Sequence, residues 1–525
     1  MKRIVISLIL AALGLGIALV SLRRNESEPA DTALLRQRYT HRLKPSVDHS
    51  KFVQLQKRFA RPQDVTEACI GCHNGRHKEV MRSSHWNWER AEYIEGRGVR
   101  YLGKKNILNN FCIGTAGNHQ SCNKCHIGYG WGDAEAFDFN DPSNVDCLAC
   151  HDNSNTYVKG SGMAGYPDTS VNLSFVAQRV GKPTRTTCGT CHFFGGGGNN
   201  VKHGDLEMAL FDAPRTVDVH MGTDGVDMQC TDCHTAQQHQ MKGKLYSLSS
   251  MNRNRVACED CHGPLPHDND LLNEHTYKVS CQACHIPVFA KVNKTKMSWD
   301  WSTAGKLRDG EPYEVKDSSG YDSYLSIKGS FVWAGNVRPE YVWSNGTASH
   351  YLLGDSIEAI PVQMNRLHGD YGDPDAKIIP VKIHRSNQPY DTEERRIIQP
   401  KLYGTRKGDG GYWVDFNWET AARDGMADVG QPFSGHVGFV KTEMVWPVNH
   451  MVSPSSDAVK CNECHTRENS RLAALRDFYL PGRDFSPPVD FAGTLVIGFS
   501  IAGVGAHAIA RIIMSRHSRK EGSHA

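Results

Sequence analysis

FCIGTAGNHQSCNKCH, residues Phe111 to His126, sets two kinds of cysteine side by side. Cys122 and Cys125 close a C-x-x-C-H motif at His126, whereas Cys112, ten residues before Cys122, belongs to no motif. The motif recurs. Sixteen of the 17 cysteines fall in eight such runs: Cys69, Cys72 and His73; Cys122, Cys125 and His126; Cys147, Cys150 and His151; Cys188, Cys191 and His192; Cys230, Cys233 and His234; Cys258, Cys261 and His262; Cys281, Cys284 and His285; Cys461, Cys464 and His465. A zinc ribbon or a thioredoxin-like site also uses C-x-x-C, but neither requires histidine as the next residue, eight times in eight. A c-type haem does: the two thiols add to its vinyl groups and the adjacent imidazole meets the iron from one side. The expectation is eight covalently bound haem c groups, each with its motif histidine on the iron. Nothing in the sequence speaks to an additional structural cation.

Eight haems change how the composition reads. Only 39% of residues are hydrophobic and the mean hydropathy is −0.50, thin for 525 residues, but stacked porphyrins supply apolar surface that the side chains lack. The expected fold is mainly α with much irregular structure: a single multihaem cytochrome c body built around its haems and flanked by terminal transmembrane helices. A net charge of +3 gives no broad footprint for nucleic acid, so any attraction for anions is local.

Ile4 to Leu22 is a nineteen-residue apolar run behind Lys2 and Arg3, without a clean small-residue cleavage site. Residues 1–24 are therefore an anchor or a signal sequence, with the uncleaved anchor favoured. Residues 25–65 are polar and read as a stalk. Residues 66–285 carry seven motifs at short spacing, joined by Gly-, Asn- and Asp-rich segments, as a haem-wrapping core. Residues 286–450 form a cysteine-free insert rich in Trp, Tyr and Gly with short β-like runs, and 451–488 deliver the eighth motif. In the last segment, 489–525, Phe491 to Met514 is long enough to span a bilayer, and Arg511, Arg516, Arg519 and Lys520 place the tail in the cytoplasm. Haem attachment outside the cytoplasm puts everything between the spans in the periplasm, tethered to the cytoplasmic membrane. His507 and Arg511 share a helix face. They either contact a quinone or a membrane cytochrome subunit, or snorkel to the headgroups.

Eighteen histidines lie outside the motifs, and electron-transfer haems want a second imidazole. The candidates are His85, His203, His220, His239, His267, His275 and His450, one fewer than the motifs. His77 shares a helix face with His73 and cannot reach the opposite side of the same iron. An iron without a second imidazole could take a substrate, and a desolvated lysine can serve as its ligand. Lys202 follows CHFFGGGGNNV, where four glycines let the backbone lie flat against a porphyrin; Lys159 is its competitor. Cys112 has three readings: a buried small hydrophobe, an intermolecular link, or a thiol in the substrate pocket.

CHFFGGGGNNVKHGDL, CQACHIPVFAK, RPEYVWSNGT, TEMVWPVNHMVSPSSDAVKCNECH and RLAALRDFYLPGRDF, with the order of the eight motifs, resemble the octahaem tetrathionate reductase family over roughly residues 62 to 485. That family is related by haem arrangement to pentahaem nitrite reductase and hydroxylamine oxidoreductase. The resemblance implies a catalytic centre at the haem of Cys122, Cys125 and His126 with Lys202 on its iron, Cys112 and Asn109 beside it, and reduction of tetrathionate, nitrite or hydroxylamine. Two features depart from the family: Asn199 where an acidic residue is expected ahead of the lysine, and the C-terminal membrane segment. The reading that follows is a periplasm-facing reductase of a small inorganic anion, fed from the quinol pool or a membrane cytochrome subunit, with homo-oligomerisation left open. The alternatives are a non-catalytic electron conduit and an enzyme that oxidises hydroxylamine.

Overall fold

Aromatic and β-branched residues of the insert recur with period two in GSFVWA, EYVWS and VGFVKTEMVWP, and this pattern builds strands. The computed structural model describes residues 32–40, 47–111, 113–132, 137–243 and 250–521. Within them the insert folds as one nine-stranded sheet. Its strands are β1 (Thr295–Asp300), β2 (Glu314–Lys316), β3 (Asp322–Leu325), β4 (Gly329–Ala334), β5 (Glu340–Ser344), β6 (Val362–Gln363), β7 (Lys377–Asp391), β8 (Arg396–Ile397) and β9 (Val437–Pro447). They lie in the order β6-β9-β7-β1-β4-β3-β2, and β5 and β8 also pair with β7. Pairing is antiparallel except β6 with β9 and β7 with β1. The expectation of a mainly α fold is thus corrected to a mixed one: a block of residues poor in haem motifs builds its core from Trp, Tyr and branched side chains on a pleated surface.

The long central strand β7 organises the region of interest. Its register with β9 runs from Val381 opposite Pro447 to Asp391 opposite Val437. Lys382, His384, Ser386 and Gln388 alternate onto one face, and all four are buried. Each finds a partner: Lys382 and His384 grip loops described below, Ser386 Oγ donates to the Trp299 carbonyl at 2.6 Å, and Gln388 Nε2 donates to the Asn109 carbonyl at 2.9 Å. The sheet core of Trp299, Trp301, Phe331, Met444 and Trp446 extends to Phe111 and Val201, so the motif-rich region and the sheet share one apolar cluster.

Motif-bearing helices are short because each needs only one turn to present two thiols and an imidazole. The longer ones are capped. In α1 (Pro62–Cys72) proline takes the first turn and Asp64 accepts from the Arg61 amide at 3.1 Å. In α2 (Arg185–His192) the Thr184 hydroxyl caps the Thr187 amide. The stretch read as a polar stalk is corrected in part. Leu55 and Phe59 are buried against Val65, Leu148 and Val176, so residues just ahead of α1 belong to the core, and the exposed polar residues around them hid it.

The chain divides into two compact units, Met1–Val459 and Lys460–Ala525. In the second, Arg471 pairs with Glu463 at 2.7 Å beside the eighth motif, and α3 (Pro487–Glu521) follows. Pro487–Met514 of α3 is long and apolar enough to cross a membrane, with mean hydropathy 1.7 and none of it buried. His507 and Arg511 are exposed on it. The expected N-terminal span, residues 1–24, lies outside the described residues.

A lysine centre among paired imidazoles

Six motif histidines each face a second imidazole across a gap of one size. The ring centroids of His73 and His49 are 6.1 Å apart, His151 and His239 6.4 Å, His192 and His85 6.2 Å, His234 and His450 6.3 Å, His262 and His220 6.0 Å, and His285 and His267 6.2 Å. A metal ion bonded to both nitrogens at about 2 Å, each about 1 Å from its ring centre, requires roughly 6 Å. The residues therefore fit a bis-imidazole iron at each of these motifs. Second partners hold several rings in place: His151 Nδ1 meets the Gly181 carbonyl at 2.7 Å, His234 Nδ1 the Lys242 carbonyl at 3.0 Å, His239 Nδ1 the Glu79 carboxylate at 2.8 Å and His450 Nδ1 the Asp205 carboxylate at 3.1 Å.

The Cys122–Cys125 motif breaks the pattern. No histidine faces His126 among the described residues; instead its ring is wrapped by Trp86, Trp88, Trp131, Phe137 and Phe139, with centroids 4.7 to 6.1 Å away. Its Nε2, the nitrogen that would bind iron, lies 2.7 Å from the Trp86 carbonyl. Burial pulls its pKa down to about 3 and keeps the ring neutral, the form in which an imidazole can hold a metal. Gly128 completes the cage, because a Cβ there would sit 2.8 Å from the His126 ring. His126 keeps the place its motif gives it next to Cys125, and the five rings and the Trp86 carbonyl are its neighbours in the haem-free chain.

Lys202 supplies a nitrogen in the same neighbourhood. The thiols of Cys125 and Cys191 lie within reach of each other, so the second motif abuts the fourth, and the glycine loop that carries Lys202 starts three residues after His192. That loop turns through Gly196 and Gly197 at φ +84° and +90°. A Cβ on Gly196 would meet Val201 at 2.9 Å and Phe111 at 3.0 Å. Lys202 Nζ sits 4.6 Å from the centroid of the Trp446 ring, which also touches Phe111 at 5.7 Å and His203 at 5.1 Å. Beneath the loop, the buried Lys382 of β7 donates to the carbonyls of Val201 (2.7 Å) and Lys202 (3.1 Å) and to Thr295 Oγ1 (2.6 Å). Burial holds the Lys382 amine well below the usual lysine range, against the raising influence of Asp205.

Lys159, the competitor, is committed elsewhere. It is buried, forms a 2.9 Å ion pair with Asp146, and donates to the carbonyls of His126 and Gly128. His203 is also corrected. Among the described residues its ring meets Trp446 and no motif imidazole, because Lys202 one residue earlier and the sheet behind it leave that ring inside the lysine site. Asn199 accepts from the Met208 amide at 2.8 Å and so shapes the loop. Asn109 accepts from the Phe111 amide at 3.1 Å, and it is Asn110 that reaches β7. For His275 the contact shown is Nδ1 with the Leu271 carbonyl at 2.7 Å. Cys112 lies outside the described residues. Sequence reasoning missed His49, whose polar neighbours in DHSKF read as a stalk, and missed Lys382 and His384, whose period-two alternation with apolar residues reads as a solvent face.

Comparison with known proteins places the chain among multihaem cytochromes c. The structure superposes on the crystal structure of octaheme cytochrome c from Shewanella oneidensis with a TM-score of 0.76, at 41% identity, over 82% of this chain and 96% of that one. The chain belongs to the octahaem tetrathionate reductase family. The family described as Cytochrome c bacterial matches residues 296–468, the sheet region of this reductase family member. An uncharacterized protein from Archaeoglobus fulgidus is 22% identical over 243 residues, 37% of this chain and 80% of its own length. As a member of the octahaem family the protein is a multihaem c-type cytochrome.

Proposed function

We propose that the protein is an octahaem reductase that acts on a small sulfur or nitrogen oxyanion at the Lys202 centre. The observation that carries this reading is that six motif histidines face a second imidazole while His126 faces none among the described residues, and the Lys202 loop follows the fourth motif, whose Cys191 abuts Cys125 of the His126 motif. Haem c, when bound, stores and passes single electrons and can bind a small ligand where a coordination position is free. The chain's own residues do the rest. His126 would hold one side of the group, Lys202 would offer its amine in place of a second imidazole, and Gly196 and Lys382 fix the loop that carries it. Lys202 and the buried Lys296 bring amines to this region, a setting that favours anions, while Lys382, its amine held low by burial, serves the loop. Contacts between motifs suggest how reducing equivalents arrive: Cys69 meets Cys147, Cys188 meets Cys230, and Cys258 meets Cys281, so the fourth motif adjoins both the fifth and the Lys202 centre.

Tetrathionate, nitrite and hydroxylamine are the candidate substrates, by family membership. The exposed apolar α3 favours a membrane-attached protein with its haem body in the periplasm, fed by the quinol pool or a membrane cytochrome subunit. The test is viologen-linked turnover of the three substrates in parallel on the detergent-solubilised protein, with Lys202→Ala alongside. Loss of at least about 100-fold in the variant, with the bis-imidazole spectrum intact, is the expected result. Wild-type spectra showing only low-spin haem that cyanide and nitrite do not alter would instead support a pure conduit. Truncation before Pro487, made together with removal of residues 1–24, should move the protein to the soluble fraction.

A further inference from the structure

His384 is a fully buried imidazole that the electron path does not use. Asn110 Nδ2 donates to the His384 carbonyl at 2.6 Å, which leaves Asn110 Oδ1 as the acceptor for His384 Nδ1 at 3.0 Å. Nδ1 therefore carries the ring proton, and Nε2 presents its lone pair. Nε2 is buried and has no partner among the described residues. A buried unpartnered nitrogen costs about 1–3 kcal/mol, so a fold that keeps one has something for it to meet. Its surroundings say where. The His384 ring meets Phe111 edge-on at 6.0 Å, Phe111 packs on Trp446, and Trp446 lies 4.6 Å from Lys202 Nζ. Trp446 Nε1 is likewise buried without a partner, and Trp446 joins the Phe111 ring beside His384 to the Lys202 amine.

We propose that His384 is the proton-transfer residue of this centre, passing a proton from Nε2 to the departing oxygen of a nitrogen–oxygen substrate such as hydroxylamine or nitrite. Asn110 is its positioning residue and fixes the tautomer. The proposal rests on the reductase reading and narrows it to a substrate class. For hydroxylamine the N–O bond breaks as two electrons arrive from the quinol or viologen donor. As those electrons arrive, Nε2 takes up a proton from solvent that balances their charge; the oxygen leaves as water with that proton, and the nitrogen takes two further protons as ammonium. Tetrathionate takes two electrons at its central S–S bond and gives two thiosulfates with no proton transfer. The side chain therefore matters unequally to the two substrates. The nearby alternatives are occupied: Asn199 holds the Met208 amide, Asp205 holds His450, and the Lys382 amine has three acceptors.

Burial, with Lys382 on the same strand face and Lys296 from β1, keeps the resting imidazole neutral. The other groups against it are uncharged: Asn110 and Phe111 from the loop and Met444 opposite it on β9. An arriving anion reverses the balance, so nitrite enters together with a proton. The test uses the full-length haem-loaded protein and nitrite, followed by the Soret band from pH 6 to 8. Apparent nitrite affinity should fall about tenfold per pH unit in the wild type and stay flat in His384→Gln. The hydroxylamine-to-tetrathionate ratio of kcat should fall about 100-fold in the variant. Equal pH slopes, or an unchanged ratio, overturn the proposal. If the variant does not load haem, the wild type decides: a solvent deuterium effect on hydroxylamine turnover that equals the one on tetrathionate turnover overturns it. If the wild type turns over no substrate, the reductase reading fails, while the pH slope of nitrite binding in wild type and variant still judges His384.

Discussion

Asp205 offers the sharpest quantitative check on the arrangement. One of its oxygens accepts from the amides of Asn449 (2.7 Å) and His450 (2.9 Å) and from His450 Nδ1 (3.1 Å), while the other is buried without a partner. Asp205→Asn keeps the shape and the accepting oxygen but removes the charge. The point midway between the His234 and His450 rings, whose centroids are 6.3 Å apart, lies about 6.5 Å from the carboxylate. At an effective dielectric constant near 20, a unit charge at that distance is worth about 2.5 kcal/mol, or roughly 100 mV for a one-electron couple. The negative charge stabilises the oxidised state, so its removal should raise the midpoint potential of this haem by about that amount and leave the others within a few tens of millivolts. Potentiometric titration read by low-temperature electron paramagnetic resonance measures the shift, as the change between wild type and variant in the near-parallel class to which this pair, at 27°, belongs. A shift below about 20 mV, or one in the negative direction, would refute the assignment of Asp205 as the carboxylate behind this iron ligand.

The imidazole planes make a second prediction. Three pairs are near parallel, at 10°, 26° and 27°, and three near perpendicular, at 67°, 70° and 75°. The oxidised protein should show rhombic low-spin signals from the first set and strongly anisotropic ones from the second; a single class would contradict the ring geometry. Gly196→Ala should cost about 1–2 kcal/mol for a left-handed residue alone and displace the Lys202 loop through its contact with Val201, lowering turnover at least about tenfold while the bis-imidazole signals persist. Lys159→Met leaves Asp146 buried with only its tyrosine and amide partners. Thermal unfolding should show a loss on the order of 3–5 kcal/mol, and an unchanged melting temperature would show that the pair contributes little.

Covalent chemistry is local, and that is why so much of this protein was legible in its sequence. Two thiols and an imidazole within five residues announce a haem wherever the chain later goes, so the eight motifs could be named from the letters alone, whereas Lys202 was singled out over Lys159 only by the resemblance. The distal imidazoles were half legible. His85, His220, His239, His267 and His450 stand opposite motif histidines in the fold, but pairing joins residues as far apart as His234 and His450, which no spacing rule encodes. His49 was lost among polar neighbours, and His203 was nominated for a gap it does not fill.

Which imidazoles come to face one another is a question of packing, and only the tertiary structure decided it. The motif of His126 is indistinguishable from the other seven, yet five aromatic rings drawn from residues 86 to 139 close over it. Lys382 and His384 look like the wet side of an amphipathic strand until the loops carrying Asn110 and Lys202 cover that face. Bonds made within one turn of chain can be read from residue order, whereas burial depends on what arrives from elsewhere to exclude the water.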